Sequence, residues 1–428
     1  MSQSTWVSRA PRLRHVAPFD GVRGLGVLGV MGGHALPLAT HSFSAIVDVF
    51  FVISGFLITT LLLQEHRQTG GIAVRKFYAR RLLRLLPGLW VMLAGTAVIG
   101  VIIKVSGRLD DPALHLGNPT LKALGKEIVV SALYLHNIVY PTNNGPWIDH
   151  LWTLSVEEQF YLLIGLASLI FIVRGHIKAI TVVLVALTAA IQISRFALTP
   201  GPLGQVAAAV WVQRPDSLMV GMLAAIVSAN IADPVPPRVK KALSVAGWVG
   251  IPMLFGAVWA STGWARALGI HHAYVPENYG DLLAAGTRPT GFYWIQWGNT
   301  VANWGVAAIT LCLFRVPDWW PNKLMSWKLL VWVGGALSYP LYLWHVPIQL
   351  LMRAFLPHNL APALWVPLAV VVPFAVAYPS WKYVETRALD LKDRFSVTGN
   401  PRHAAASSAA GSAPGSAAEP TTGPGASQ

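Results

Sequence analysis

The chain has 428 residues, of which 54% are apolar and 12% charged, and it carries a formal net charge of +14. Apolar runs of about 20 residues recur behind short polar loops, which excludes a soluble enzyme of several domains and points to a polytopic membrane protein of all-α class. The excess of cations sits in loops, where anionic lipid and membrane orientation account for it without a nucleic-acid partner. A single cysteine, Cys312, lies in an apolar run, so disulfides play no part and a packed core thiol is expected.

Residues 1–15 contain no apolar stretch of signal-peptide type, so the first span is expected to serve as its own insertion signal. Spans are placed at 17–38, 44–64, 85–105, 150–173, 179–198, 213–229, 242–260, 293–314, 329–354 and 363–384, about ten helices in all. With both termini in the cytoplasm, 22 of the 32 Lys and Arg residues fall on the inner side, nine fall outside or near the outer ends, and Arg23 lies within a span. That bias fits the positive-inside rule. The expected organisation is a cytoplasmic segment 1–15, one transmembrane domain over 16–390 and a disordered cytoplasmic tail over 391–428, whose Ala, Ser, Gly and Pro from Ala404 onward cannot bury a core. Two long outer connections, 106–149 with an interfacial helix expected near Lys126–Asn137, and 261–292 with His271, His272, Glu277, Asp281 and Arg288, have the size of functional loops. No internal repeat is visible.

Ionisable groups inside a membrane are costly and mark function unless they form a structural pair. In "FDGVRGLGVLGVMGGHA", Arg23 and His34 are 11 positions apart, which brings them to one helix face about 16 Å apart along the axis. Asp20 joins that face three residues before Arg23. Gly29 and Gly33 have GxxxG spacing, which packing alone explains. In "VDVFFVISGFLIT", Asp48 could orient and charge-stabilise a histidine or cap a helix start, and Ser54 reads as a helix-contact residue. In "FYARRLLRLLPGLW", Arg80, Arg81 and Arg84 share neighbouring faces; they suit either positive-inside anchoring or bidentate phosphate binding.

In "HLWTLSVEEQFYLL", the adjacent Glu157 and Glu158 point about 100° apart, so at most one is expected to face the Arg23–His34 stripe and the other a neighbouring helix or arginine. His150 and Trp152 read as interfacial residues. "SYPLYLWHVPI" places Tyr339, Tyr342 and His345 in the ninth span, with His345 read first as a satisfied core group. Arg214 and Asp216 flank Pro215 and are expected to pair structurally.

Five patterns in this order, Arg23 with His34, "VDVFFVISGFLIT", Arg81-x-x-Arg84, "LWTLSVEEQFYLL" and "LSYPLYLWHVPI", resemble the membrane-bound acyltransferase-3 family over roughly residues 16 to 390. The resemblance implies a bacterial cytoplasmic-membrane enzyme with a ten-helix core. Such an enzyme moves an acyl group, most often acetyl, from cytoplasmic acyl-CoA to a hydroxyl of an envelope glycan, a glycolipid or a secondary metabolite. It implies Arg23 and His34 as the catalytic pair, Arg81 and Arg84 with Arg80 as the donor site, and Asp48 and Glu157 in support. Asp20, Glu158, Tyr342 and His345 join the supporting set. No metal and no permanently bound cofactor are expected, and acyl-CoA enters as a co-substrate. "YVETRALD" departs from the family pattern, with Arg387 where a proline tends to follow the glutamate. Some relatives append an extracytoplasmic esterase-like domain, so transfer is expected to be completed here within the membrane domain.

Chemically, a histidine held by a carboxylate can remove a hydroxyl proton as the thioester is attacked, while arginines stabilise the oxyanion. His34 is expected to act as general base in direct transfer, with an acyl-histidine intermediate as the other route. A transporter or flippase for a lipid or anionic substrate is the competing class, and a receptor-like binding module the third.

Overall fold

The computed structural model describes residues 8–36, 44–114, 116, 120–141, 145–195, 210–211, 213–260 and 294–392. The expected terminal segment before residue 8, the loop with His271 to Arg288 and the tail beyond 392 lie outside the described residues. Among the described residues no strand occurs, and the protein is an all-helical, multi-pass membrane protein. Each of the ten apolar stretches read from the sequence is helical. They form α1 (Ala17–Ala35), α2 (Ser44–Thr69), α3 (Val74–Val105), α6 (Trp152–Phe171), α7 (Ile177–Ser194), α8 (Pro215–Asn230), α9 (Pro237–Ala260), α10 (Trp294–Arg315), α12 (Lys328–Phe355) and α13 (Pro362–Leu391). Between them lie α4 (Leu121–Ala132), α5 (His136–Val139) and α11 (Trp320–Met325). Six of these helices, α2, α3, α7, α9, α12 and α13, are long and apolar enough to cross a membrane by length and composition. α8 has only 16 residues, and α1 and α6 carry the charged residues discussed below.

The helix expected near Lys126–Asn137 begins earlier, at Leu121, because the Thr120 hydroxyl caps it by accepting the Ala123 N–H at 3.1 Å. One face of it is buried. Leu124 enters an apolar core built from α3, α12 and the 147–154 stretch, and Glu127 is fully buried. The Glu127 carboxylate accepts the N–H groups of Trp147 and Ile148, both at 2.8 Å, and faces His136 Nε2 at 3.1 Å. Asp149 accepts the Gly145 N–H at 2.9 Å, and burial pushes its carboxyl up to about 6. These contacts hold rigid the turn that delivers His150 to the start of α6.

α1 sits against α2, α10, α11, α12 and α13, so it occupies the middle of the bundle. At Gly29, one half of the GxxxG pair, a Cβ would meet the Ile46 side chain at 2.7 Å, not backbone. At Gly24 a Cβ would overlap the Leu330 carbonyl and lie 3.0 Å from the Gly334 nitrogen, and at Gly334 one would overlap the Asp20 carbonyl. A π-helical turn at Val333–Leu337 widens α12 here and lets the two backbones touch. A second contact of this kind joins α2 to α8, with Gly55 against the Leu218 carbonyl and Gly221 against that of Val52. The glycine of "VISGF" is thus a helix-crossing residue.

Segments assigned by charge to the inner side converge on one end of the bundle. Arg67 donates to the carbonyls of Ser8 and Ala10, Arg315 to those of Ile231 and Ala232, and Lys240 pairs with Asp318 at 2.8 Å.

The Gly24–Gly334 contact leaves no room for a side chain, so Gly334→Val should cost at least the 1–3 kcal/mol typical of overpacking. Gly32→Ala, on the same helix with nothing within 4 Å of the added Cβ, should leave stability unchanged or raised by up to about 1 kcal/mol. Thermal melting of the two purified variants in detergent should show a clear fall for the first only.

Candidate active site

The polar residues of α1, α3, α6 and α12 face one another in two layers. The lower layer is charged. Arg23 lies 3.8 Å from Asp20, whose other oxygen meets His15 Nε2 at 2.7 Å, so Asp20 does share the Arg23 face. Across from them, Arg81 makes a bidentate pair with Glu158 Oε1, at 2.7 Å from Nε and 2.6 Å from the terminal nitrogen, and its guanidinium covers the Tyr161 ring at 3.3 Å. The Glu157 carboxylate accepts the hydroxyls of Ser54 and Tyr161, the latter at 2.7 Å. The two glutamates therefore divide as their 100° separation requires, Glu158 to an arginine and Glu157 to a hydroxyl pair.

Arg80 approaches Glu65 at 3.9 Å. Arg84 is different. Its side chain is exposed and has no carboxylate within ion-pair distance among the described residues, although Arg23, Arg81 and Glu157 all act on it electrostatically. Of the three arginines grouped on α3, Arg84 is the one with no carboxylate within 4 Å among the described residues, although the buried Glu385 also acts on it electrostatically.

The upper layer consists of neutral rings. His34, the last polar residue of α1, donates Nδ1–H to the Val30 carbonyl at 3.0 Å. His345 Nε2 is 3.4 Å from the same nitrogen, and the rings meet edge to face with centroids 5.0 Å apart. His345 in turn gives its Nδ1–H to the carbonyls of Tyr342 at 2.7 Å and Leu341 at 3.2 Å. His150 stacks on the other side of His345, again at 5.0 Å, and Tyr342 donates to the His150 carbonyl while its oxygen meets the Thr153 hydroxyl at 2.5 Å. Arg353 and Trp365 clamp the end of α1 by donating to the carbonyls of His34 at 2.9 Å and Ala35 at 2.7 Å.

His34 is exposed although Met31, Gly33 and Ala35 around it are buried and five helices surround α1. Its ring packs edge to face against His345 on α12. With Nδ1–H committed to a carbonyl, Nε2 carries the free lone pair, and that is the tautomer a general base needs.

α12 joins the layers. Gly335 lies beside Asp20, the Tyr339 hydroxyl donates to the Leu85 carbonyl at 2.6 Å next to Arg84, and Tyr342, His345, Gln349 and Arg353 follow at three- and four-residue spacing. α6 does the same with Thr153, Glu157 and Tyr161, with His150 in the turn just before it.

Several expectations change. Asp48 is fully buried and belongs to another cluster: it accepts the Ser217 hydroxyl at 2.7 Å and pairs with Arg214 at 3.5 Å, and no histidine is among its partners. Arg214 and Asp216 do not pair with each other, because Asp216 is taken by Arg195 in a fully buried bidentate pair at 2.7 and 2.9 Å, seconded by Asn303. His150 and Trp152 are buried, not interfacial, Trp152 packing edge-on against Phe51. Ser54 faces Glu157 in the charged layer. Thr153, Tyr161, Arg195 and Arg353 had not been singled out. The spacing of the first two on α6 carried the signal, whereas Arg195 and Arg353 depend on tertiary packing for their meaning.

Comparison with known proteins supplies the family. The chain is 28% identical over 401 residues to the peptidoglycan O-acetyltransferase OatA of Listeria monocytogenes, an alignment covering 90% of this chain and 57% of the relative. It is 26% identical over 389 residues to the putative peptidoglycan O-acetyltransferase YrhL of Bacillus subtilis, covering 87% and 54%. A putative O-acetyltransferase of Staphylococcus aureus strain COL is 24% identical over 409 residues, covering 90% and 59%. The chain thus spans a little over half the length of these relatives. No solved structure matches it. With residues 16–382 matching the acyltransferase domain, the protein belongs to that acyltransferase family.

Proposed function

We propose that the protein is a membrane O-acyltransferase that moves an acyl group, acetyl in the simplest case, from acyl-CoA at the charged end of the bundle to a hydroxyl entering from the histidine end. The observation that carries this reading is the open Nε2 of His34 on the same helix as Arg23, which together with the unpaired Arg84 forms the charged mouth. The names of the relatives make an envelope glycan of the peptidoglycan type the first acceptor to test, with glycolipids and secondary metabolites behind it.

In this reading the inner end faces the cytoplasm. Phosphates of the donor bind Arg84 and Arg23 as charge-assisted forks, while Arg81 and Arg80 stay engaged with Glu158 and Glu65 and set the electrostatics of the mouth. The pantetheine arm runs along α12 past Tyr339 and Tyr342 and brings the thioester near His34. His34 Nε2 takes the acceptor's hydroxyl proton as the oxygen attacks the thioester carbon. The C–S bond then breaks, and the departing thiolate recovers that proton, leaving CoA and the ester. Glu157 and Glu158 hold the arginine layer in shape, Asp20 orients Arg23, and Asp48 acts only through the packing of α2 on α8.

The test is thiol release from acetyl-CoA by the protein in lipid nanodiscs, with and without a muropeptide acceptor, followed by mass spectrometry of the acceptor. His34→Ala should reduce turnover by roughly 10² to 10⁴, the contribution of a positioned base, with the KM for acetyl-CoA little changed. Arg84→Ala should raise that KM by about tenfold or more, the worth of a charge-assisted contact of about 1.5–3 kcal/mol, and Arg84→Lys should recover part of the loss. Acceptor or lipid crossing the bilayer without any thiol release would replace the enzyme with a transporter.

A further inference from the structure

His34 lacks the partner that usually backs a catalytic histidine. Among the described residues no carboxylate lies within ion-pair distance of its ring, and Asp48 is committed to Ser217 and Arg214. Behind Nδ1, beside the Val30 carbonyl that takes its N–H at 3.0 Å in the resting state, stands a second imidazole that can share the same hydrogen. His345 is fully buried, its own Nδ1–H is shared by the carbonyls of Leu341 and Tyr342, and its tautomer is thereby fixed with a lone pair on Nε2, 3.4 Å from His34 Nδ1. The π-helical turn at Val333–Leu337 precedes this stretch, and His345 lies within the helix Ser338–Phe355, so the ring is carried by a helix and not by a flexible loop.

Resting on the proposed role of His34, we infer that His345 is a positioning residue that forms a neutral dyad with it. When Nε2 of His34 accepts the hydroxyl proton, the positive charge spreads over the ring and strengthens the Nδ1–H donor. The 3.4 Å approach then closes to a charge-assisted hydrogen bond with His345 Nε2, whose lone pair takes the place of a carboxylate. No proton leaves His34 toward His345; the single proton gained at Nε2 goes back to the thiolate.

A neutral partner stabilises the imidazolium less than an anion would, and that suits a thiolate leaving group, because the proton has to be returned within the same turnover. The other titratable or charged groups facing the pair are Tyr342 and Arg353 on α12 and His150 from the 149–151 turn. Tyr342 is tied to the His150 carbonyl and Thr153, and His150 Nε2–H to the Leu343 carbonyl at 3.3 Å, so neither competes for Nδ1 of His34.

The dyad is tested with His345→Leu, which removes the lone pair, and His345→Gln, whose amide oxygen can accept from Nδ1–H. Both are compared with wild type and His34→Ala in the nanodisc assay, and their melting temperatures confirm that they are folded. His345→Leu should lower kcat by about 10- to 100-fold with an unchanged KM for acetyl-CoA. It should also move the acid limb of the kcat–pH profile to lower pH, since the imidazolium of His34 has lost its acceptor. His345→Gln should restore most of the rate and return the limb toward its original position. Wild-type kcat and pH profile in His345→Leu, or a Gln variant as impaired as the Leu variant, would overturn the dyad while leaving His34 as base. Full activity in His34→Ala would instead overturn the role on which the dyad rests.

Discussion

Contact between two helix backbones, α1 and α12 at Gly24 and Gly334, sets the register on which the site depends. At that crossing neither helix carries a side chain between its backbone and its neighbour's, and the π-helical turn supplies the extra width that the approach needs. From this fixed point the helices run side by side in the same direction. Residues at equal heights must therefore meet: Asp20 beside Gly335, His34 beside His345, and the end of α1 beneath Arg353. A slip of one residue would rotate either face by about 100° and separate the two imidazoles. Small residues at the base thus act on chemistry many ångströms above them, through rigid helices and not through any direct contact.

Polar groups inside this bundle have little water to fall back on, so the charged ones are costly unless they are paired or solvated. That rule divides the charged residues into two kinds. Arg195 with Asp216 is bidentate and fully buried, and removing one partner of such a pair costs about 3–5 kcal/mol, while Arg81 with Glu158 is a partly buried pair in which two guanidinium N–H groups share one carboxylate oxygen. Arg84 and His34 are exposed although they belong to the helical interior. An unpaired cation and an unpaired ring nitrogen are tolerated only where water or a ligand solvates them, and this is why the open pair, not the closed ones, defines the path through the protein.

Helical periodicity made much of this legible in advance. The ten apolar runs, the common face of Asp20, Arg23 and His34, and the divergence of Glu157 from Glu158 all follow from the 100° step between residues, and all reappear in the structure. What periodicity cannot give is the partner on another helix. Asp48 looked like a carboxylate in search of a histidine, but the Gly55–Gly221 crossing brings α8 against it and hands it Ser217 and Arg214. Arg214 and Asp216 looked like a pair because they are close in sequence, yet Pro215 starts a helix between them and sends them to different neighbours. His150 looked interfacial because a Trp follows it two residues later. Its burial goes with Glu127 gathering the N–H groups of Trp147 and Ile148, an interaction between positions about 20 residues apart in sequence.

The separation of charge from base has a physical consequence of its own. At an effective dielectric of about 20, two unit charges 4 Å apart interact by about 4 kcal/mol, and the energy falls inversely with distance. On the proposed role of His34 as base, a guanidinium cluster set directly against it would oppose formation of the imidazolium by an amount comparable to the catalysis that role supplies. Placing Arg23 about three turns below His34 weakens that opposition severalfold while leaving both on one continuous face. Arg353 is the exception, since it binds the carbonyl of His34 itself and brings a positive charge near the ring. On the proposed role of His34 as base, the residue that clamps the end of α1 fixes the position of the ring at the expense of the charge separation that distance secures from Arg23.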